Sequence, residues 1–285
     1  MVSLSATALV GVAWRLKMIR GHWLVLAVLA ALAACAMAEV KLTWALLPVL
    51  TLGVALMPGI KRISLMKPLL VAVTLAAMAA MAMVWVYQQQ YTSARSLESD
   101  SLLAYSQQIW SRSMDDSVRA DEWGQLTRLG ALRFWWQRQT ALDMAGWLIG
   151  HGMGATRKSA WMDGDIAKQY SFNLGRTTAA IWLWEVGVLG AISGVMALLI
   201  FAILGWYLGQ SWAAWEQAIV WRFLLSGASL SLVVVLLSIP YSADLMEAPH
   251  LPTWALLMVG VIWAAARRCQ TLPKVASMSM PEVQS

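Results

Sequence analysis

Six apolar runs, at 22–38, 42–57, 68–87, 178–208, 222–239 and 251–266, constrain this chain more than any other feature. A helix needs roughly 20 residues to cross a bilayer core. Lipid offers no hydrogen-bond partner to the backbone, so such runs fold as helices. The composition bears this out: 60% of the residues are hydrophobic and 13% charged, against about a quarter charged in a soluble domain. The fold class expected is all-α, a polytopic transmembrane protein of about six spans with a long loop containing amphipathic helices.

The runs fall into two blocks. An N-terminal block covers 1–87 and a C-terminal block 178–268, with a polar island at 88–177 between them and a tail at 269–285 expected to be disordered. Pro58-Gly59 ends the second run, and Pro240 ends the fifth. Proline lacks a backbone donor and glycine is a poor helix former. Residues 2–14 are apolar but short, which fits an interfacial helix or a short tilted span. The run at 178–208 is too long for a straight crossing, so it must tilt, kink or project. The first run follows Arg15, Lys17 and Arg20 and is long for a signal core, so a retained span is expected there.

Charge sets the orientation. Arg15, Lys17 and Arg20, then Lys61, Arg62 and Lys67, then Arg267, Arg268 and Lys274 fall on one side under six spans. By the positive-inside rule that side is the cytoplasm, with both termini. The island and the connector 241–250 then face the opposite compartment. The formal charge of +6 is therefore read as topological, and no basic run suggests nucleic acid as a partner. Cys35 lies in an apolar run and Cys269 in the tail, so no disulfide framework is indicated.

The island carries the chemistry. Residues 122–147 have helical spacing, with Leu129, Leu132, Trp136 and Leu142 apolar and Arg128, Arg133 and Arg138 between them. This pattern suits an amphipathic helix on or near a membrane surface. Guanidinium groups hold phosphate oxygens in a bidentate grip, and tryptophan faces stack on sugar rings. The same residue types also anchor proteins at membrane interfaces, so the pattern has a structural reading as well. Gly150-His151-Gly152-Met153-Gly154 is a turn that lets backbone amides come close to an anion or a helix. No strand precedes it, which excludes a dinucleotide loop. His22, His151 and His250 have no metal-ligand spacing, and neither a metal nor a cofactor is expected. Glu185, at the start of a span, is costly there unless paired, which makes it a site candidate or an arginine partner.

Three stretches together resemble the O-antigen ligase and polymerase superfamily. They are Leu132-Arg133-Phe134-Trp135-Trp136, Leu148-Ile149-Gly150-His151-Gly152-Met153-Gly154 and Glu185-Val186-Gly187-Val188-Leu189-Gly190. Their order and spacing match that family's arginine-aromatic segment, glycine turn and Glu-x-Gly-x-x-Gly span start over about sixty residues. Gly146-Trp147 stands where the family has proline, and Arg176-Thr177 where it has His-Asn. The family usually has ten or more spans, so the chain resembles its C-terminal half.

The resemblance implies metal-independent transfer, at the bacterial inner membrane, of an undecaprenyl-diphosphate-linked glycan to a hydroxyl of a glycan acceptor. The missing His-Asn argues against a lipid A-core ligase and leaves a polymerase-like or divergent transferase. In that scheme Arg133 and Arg176 bind the diphosphate, Arg128 or Arg138 assists, Trp136 and Glu185 help to hold substrate, and His151 supplies a base. The alternative is a non-catalytic or truncated membrane subunit of an envelope polysaccharide system. It would dock on a partner subunit through spans lined by Gly187, Gly190 and Gly194.

Overall fold

The computed structural model describes residues 2–37, 43–55, 74, 126–142, 144–158, 163–174, 177–211, 219–247 and 250–278. The span expected at 68–87, the first half of the island and Arg176 lie outside the described residues. The fold is all-α. In chain order it runs α1 (Val2–Arg15), α2 (Gly21–Met37), α3 (Thr43–Ala55), α4 (Arg128–Leu142), α5 (Met144–Ile149), a 3-10 turn (Ala167–Gln169), α6 (Thr178–Glu185), α7 (Gly187–Ser211), α8 (Ile219–Ser238), α9 (Asp244–Glu247) and α10 (His250–Met278). Among the described residues two helices are long and apolar enough to cross a membrane: α7 over Gly187–Gln210, and α8.

α8 is the centre of the bundle and packs against α7, α1, α10 and α3. On one side Leu225, Ala228, Leu232 and Val235 join residues of α7 and α10, among them Ala202, Leu251, Ala255 and Ile262. On the other, Leu230 and Val234 meet Leu4, Ala8, Val12, Leu46 and Leu50. Lipid is as apolar as leucine, so in a membrane close packing must hold helices together where burial does not. Glycines supply the close approaches. A Cβ on Gly53 would overlap Leu230, and one on Gly227 would overlap Leu9. Ser229 Oγ adds a hydrogen bond of 2.6 Å to the Ala202 carbonyl, across to α7.

α1 does not fit one of its two expected forms, a helix lying flat at an interface. Its buried stripe, Leu4, Ala8, Val12 and Leu16, repeats every four residues and is packed inside the bundle. It pairs with α2 as a helical hairpin, with Thr7 Oγ1 reaching the Ala27 carbonyl at 3.4 Å. A helix lying flat at an interface would leave that stripe to lipid. α7 is the opposite case. Leu189, Ile192, Met196, Ile200, Ile203 and Tyr207 form an apolar stripe that the rest of the described chain leaves exposed.

Two further boundaries differ. The run at 178–208 is two helices, because the chain breaks at Val186-Gly187: Val186 caps α6 and Gly187 takes a φ of 67°. A left-handed glycine just after the last helical turn is a common way to end a helix. The last helix also continues past Arg267 and Arg268 to Met278, where the charges had suggested a stop at 266. A basic pair forbids lipid around it, not helix. Arg267 lies over the Trp263 ring at 5.2 Å and Arg268 over Trp221 at 5.6 Å.

The island is tied to the other end of α8. Thr178 donates to the Ser242 carbonyl through both its amide (2.8 Å) and its hydroxyl (2.7 Å), and Ala179 N donates to Ile239 O. From Trp221 to Ile239 is about 27 Å of helix at 1.5 Å per residue. The described island and the Arg268 side chain therefore sit at opposite ends of the bundle.

Candidate functional site

The described part of the island has a small core of its own, built on α4. Thr127 caps that helix, its hydroxyl accepting from Gly130 N at 3.0 Å, as an N-cap threonine does. Ala131, Phe134, Trp135 and Gln139 then form the buried stripe, at helical spacing. Phe134 is the hub. Its ring meets Tyr170 and Phe172 edge-on at 5.0 and 5.2 Å, and Trp184 at 6.1 Å. Such aromatic pairs are worth about 0.5–1.5 kcal/mol each beyond the area they bury. The inward face is thus distinct from the positions of Leu129 and Trp136, which the sequence assigned to a membrane surface. Both are exposed, Trp136 at 56%.

Next, the glycine turn docks on the helix break. The last carbonyls of a helix have no partner within it. Here Trp184 O accepts from His151 N and Glu185 O from Gly152 N, each at 2.9 Å. The two backbones touch because neither side has a side chain. A Cβ on Gly150 (φ 75°) would overlap the Glu185 carbonyl, and one on Gly187 would overlap that of Leu148. Two stretches separated by more than thirty residues are thereby brought together, and with them His151 and Glu185.

Glu185 is 1% exposed. Its Oε1 accepts from the Thr156 hydroxyl at 2.8 Å, while Oε2 is buried without a partner among the described residues. A carboxylate so placed depends heavily on its donors. Thr156→Val keeps the shape and removes one. We expect it to destabilise the protein by about 1.5–3 kcal/mol, the usual worth of a hydrogen bond to a charged group. Thermal unfolding in detergent micelles measures this, and an unchanged midpoint would mean that the bond holds nothing in place.

His151 lies at the surface, yet its ring is held. Its Nε2 is 2.5 Å from Gln139 Nε2, and its ring centroid is 5.9 Å from that of Trp184. Gly146 leaves room for it: a Cβ there would come within 2.8 Å of the imidazole Cε1. Its Nδ1 has no hydrogen-bond partner among the described residues.

The arginines divide. Arg128 Nε donates to Tyr241 O at 2.9 Å, and its guanidinium lies 4.0 Å from the Tyr241 ring centroid, which commits it to joining α4 to the α8–α9 connector. Arg138 lies over Phe134 at 5.6 Å and Tyr170 at 6.0 Å, at the edge of the island core. Arg133 and Trp136 point the other way. At 3.6 residues per turn they share the face opposite the buried stripe, and both are exposed. The site residues expected from the sequence thus form two groups on opposite sides of α4: His151 with Glu185, and Arg133 with Trp136. Arg157, beyond the turn, donates to Met246 O at 2.6 Å.

Two polar residues of the site escaped the sequence reading. Gln139 had a signal: it is the polar member of an otherwise apolar stripe. Thr156 had none. Among the described residues no group of three or more His, Cys, Asp or Glu could hold a metal ion. Within this chain Gly190 lies against Val186 of the preceding turn and Gly194 against Trp182. Compared with protein-family models, curated proteins and solved structures, the chain matches none.

Proposed function

We propose that this protein is a membrane glycosyltransferase of periplasmic glycan assembly, similar to the O-antigen polymerases and ligases. It sits in the bacterial inner membrane with about six spans, its island in the periplasm and its basic ends in the cytoplasm. The donor is an undecaprenyl-diphosphate-linked glycan and the acceptor a sugar hydroxyl. The acceptor oxygen attacks the anomeric carbon, and the bond from that carbon to the diphosphate oxygen breaks. The electron pair leaves with undecaprenyl diphosphate, and the hydroxyl proton passes to His151.

The observation that supports this reading is the docking of the glycine turn on the Glu185–Gly187 break. It joins two of the three stretches that carry the family resemblance and leaves a held imidazole at the surface. A diphosphate lies one bond from the reacting carbon, whereas the two faces of a helix are about 10 Å apart. Among the described residues, the guanidinium on the inward side of α4 is that of Arg138, at the edge of the island core. Arg133 and Trp136 engage another part of the same extended donor, or the headgroup layer. The exposed stripe on α7 faces lipid, because soluble proteins rarely leave so long an apolar patch uncovered.

The test is reconstitution in phospholipid vesicles with an undecaprenyl-diphosphate oligosaccharide and a panel of sugar acceptors. Transfer should release undecaprenyl diphosphate in step with glycan extension, without added metal. Arg133→Ala should raise the donor KM about tenfold, as expected when a charge-assisted contact is lost, and leave kcat near wild type. Release without extension, or no turnover with any acceptor, would count against a transferase and for a non-catalytic subunit.

A further inference from the structure

Gln139 is 1% exposed, on the inward stripe of α4, and its amide ends against the His151 ring at 2.5 Å. The two ends of a glutamine amide are told apart by their hydrogen bonds and not by their shape. An amide nitrogen donating to a ring nitrogen would keep the proton on Nδ1. The alternative is the amide oxygen accepting from Nε2–H. At 2.5 Å the contact is already shorter than the roughly 2.7 Å at which N–H···O bonds begin, which suits oxygen, the smaller acceptor, better than nitrogen. The second orientation is therefore the better fit.

The rest of the ring's setting is fixed independently. The His151 backbone amide is bonded to Trp184 O, Gly146 lies close against the Cε1–Nε2 edge, and the Trp184 ring stands beside it. A second group that fixes which ring nitrogen carries the proton decides what the other nitrogen can do. We infer that Gln139 is a positioning residue. Its amide oxygen accepts from Nε2–H of His151, holds the imidazole in that tautomer and leaves the Nδ1 lone pair as the proton acceptor. The inference rests on the reading of His151 as base, but its main test needs no turnover.

That test is nitrogen NMR of the full-length protein in micelles, labelled with ¹⁵N-histidine, at a pH above the ordinary imidazole range. His151→Asn identifies the His151 signals against those of His22 and His250. The Nε2–H tautomer should dominate in the wild-type protein. Gln139→Leu should give a mixture of tautomers, and Gln139→Glu, whose carboxylate also accepts from Nε2–H, should restore the single form. In the vesicle assay Gln139→Leu should slow transfer about tenfold, the lower part of what base catalysis supplies, with recovery in Gln139→Glu. A dominant Nδ1–H tautomer in the wild-type protein overturns the positioning role, even if no variant folds. An unchanged tautomer in Gln139→Leu overturns it as well. Full activity in His151→Asn overturns the base assignment instead, and leaves the tautomer result to stand by itself.

Discussion

Alanine at Gly187 should unseat the glycine turn from the helix break and lower stability sharply. Gly187 takes a φ of 67°, and its Cβ would overlap the Leu148 carbonyl. The left-handed backbone alone costs about 1–2 kcal/mol for a residue with a Cβ. The overlap is with backbone, which cannot swing aside as a long side chain can. Relief requires the glycine turn to lift away, breaking the bonds from His151 N to Trp184 O and from Gly152 N to Glu185 O. At about 1 kcal/mol each, the total reaches about 3–4 kcal/mol. That corresponds to a fall of roughly 10 °C in Tm for a chain of this size. Gly150→Ala should behave alike, because its Cβ would overlap the Glu185 carbonyl. Gly152 and Gly154 supply the control. Both have positive φ, but nothing lies within 4 Å of their built Cβ positions, so alanine there should cost only the backbone term. Equal losses at Gly152 and Gly187 would show that the docking does not hold the island together.

The second large effect is on the reaction. His151→Asn should reduce glycan transfer by about 10²–10⁴, the range that a positioned acid or base contributes, with Tm close to that of the wild-type protein. Asparagine can still hydrogen-bond to Gln139, but it cannot accept a proton. The loss should therefore appear in kcat and leave the donor KM nearly unchanged. Transfer within twofold of wild type would mean that another group takes the acceptor proton.

Much of this arrangement could be read in the sequence, and the exceptions have physical reasons. The helices at 21–37, 43–55 and 219–238 lie within a few residues of the apolar runs, since an uninterrupted apolar stretch bounded by charge or proline has few alternatives. The break at Gly187 was less visible. Length required the fourth run to bend somewhere, but the place is set by Leu148 and Gly150, which approach from another part of the chain. α4 misled for a related reason. Its arginines and aromatics suggested a face turned to membrane or ligand, yet Phe134 and Trp135 are the island's own core. Periodicity identifies a stripe, not what covers it. The pairing of His151 with Gln139 depends on how α5 turns back on α4, which no spacing rule encodes.

Several bonds that seat the described island lead forward along the chain. Arg128 reaches Tyr241, Arg157 reaches Met246, and Thr178 and Ala179 reach Ser242 and Ile239. The connector after α8 is thus a cradle for the described island. α1 to α3 brace α8 from its far side. α6 links the two ends of this seat: Thr178 at its start bonds to Ser242, and Trp184 and Glu185 at its end hold the glycine turn, so a shift of the connector carries to His151.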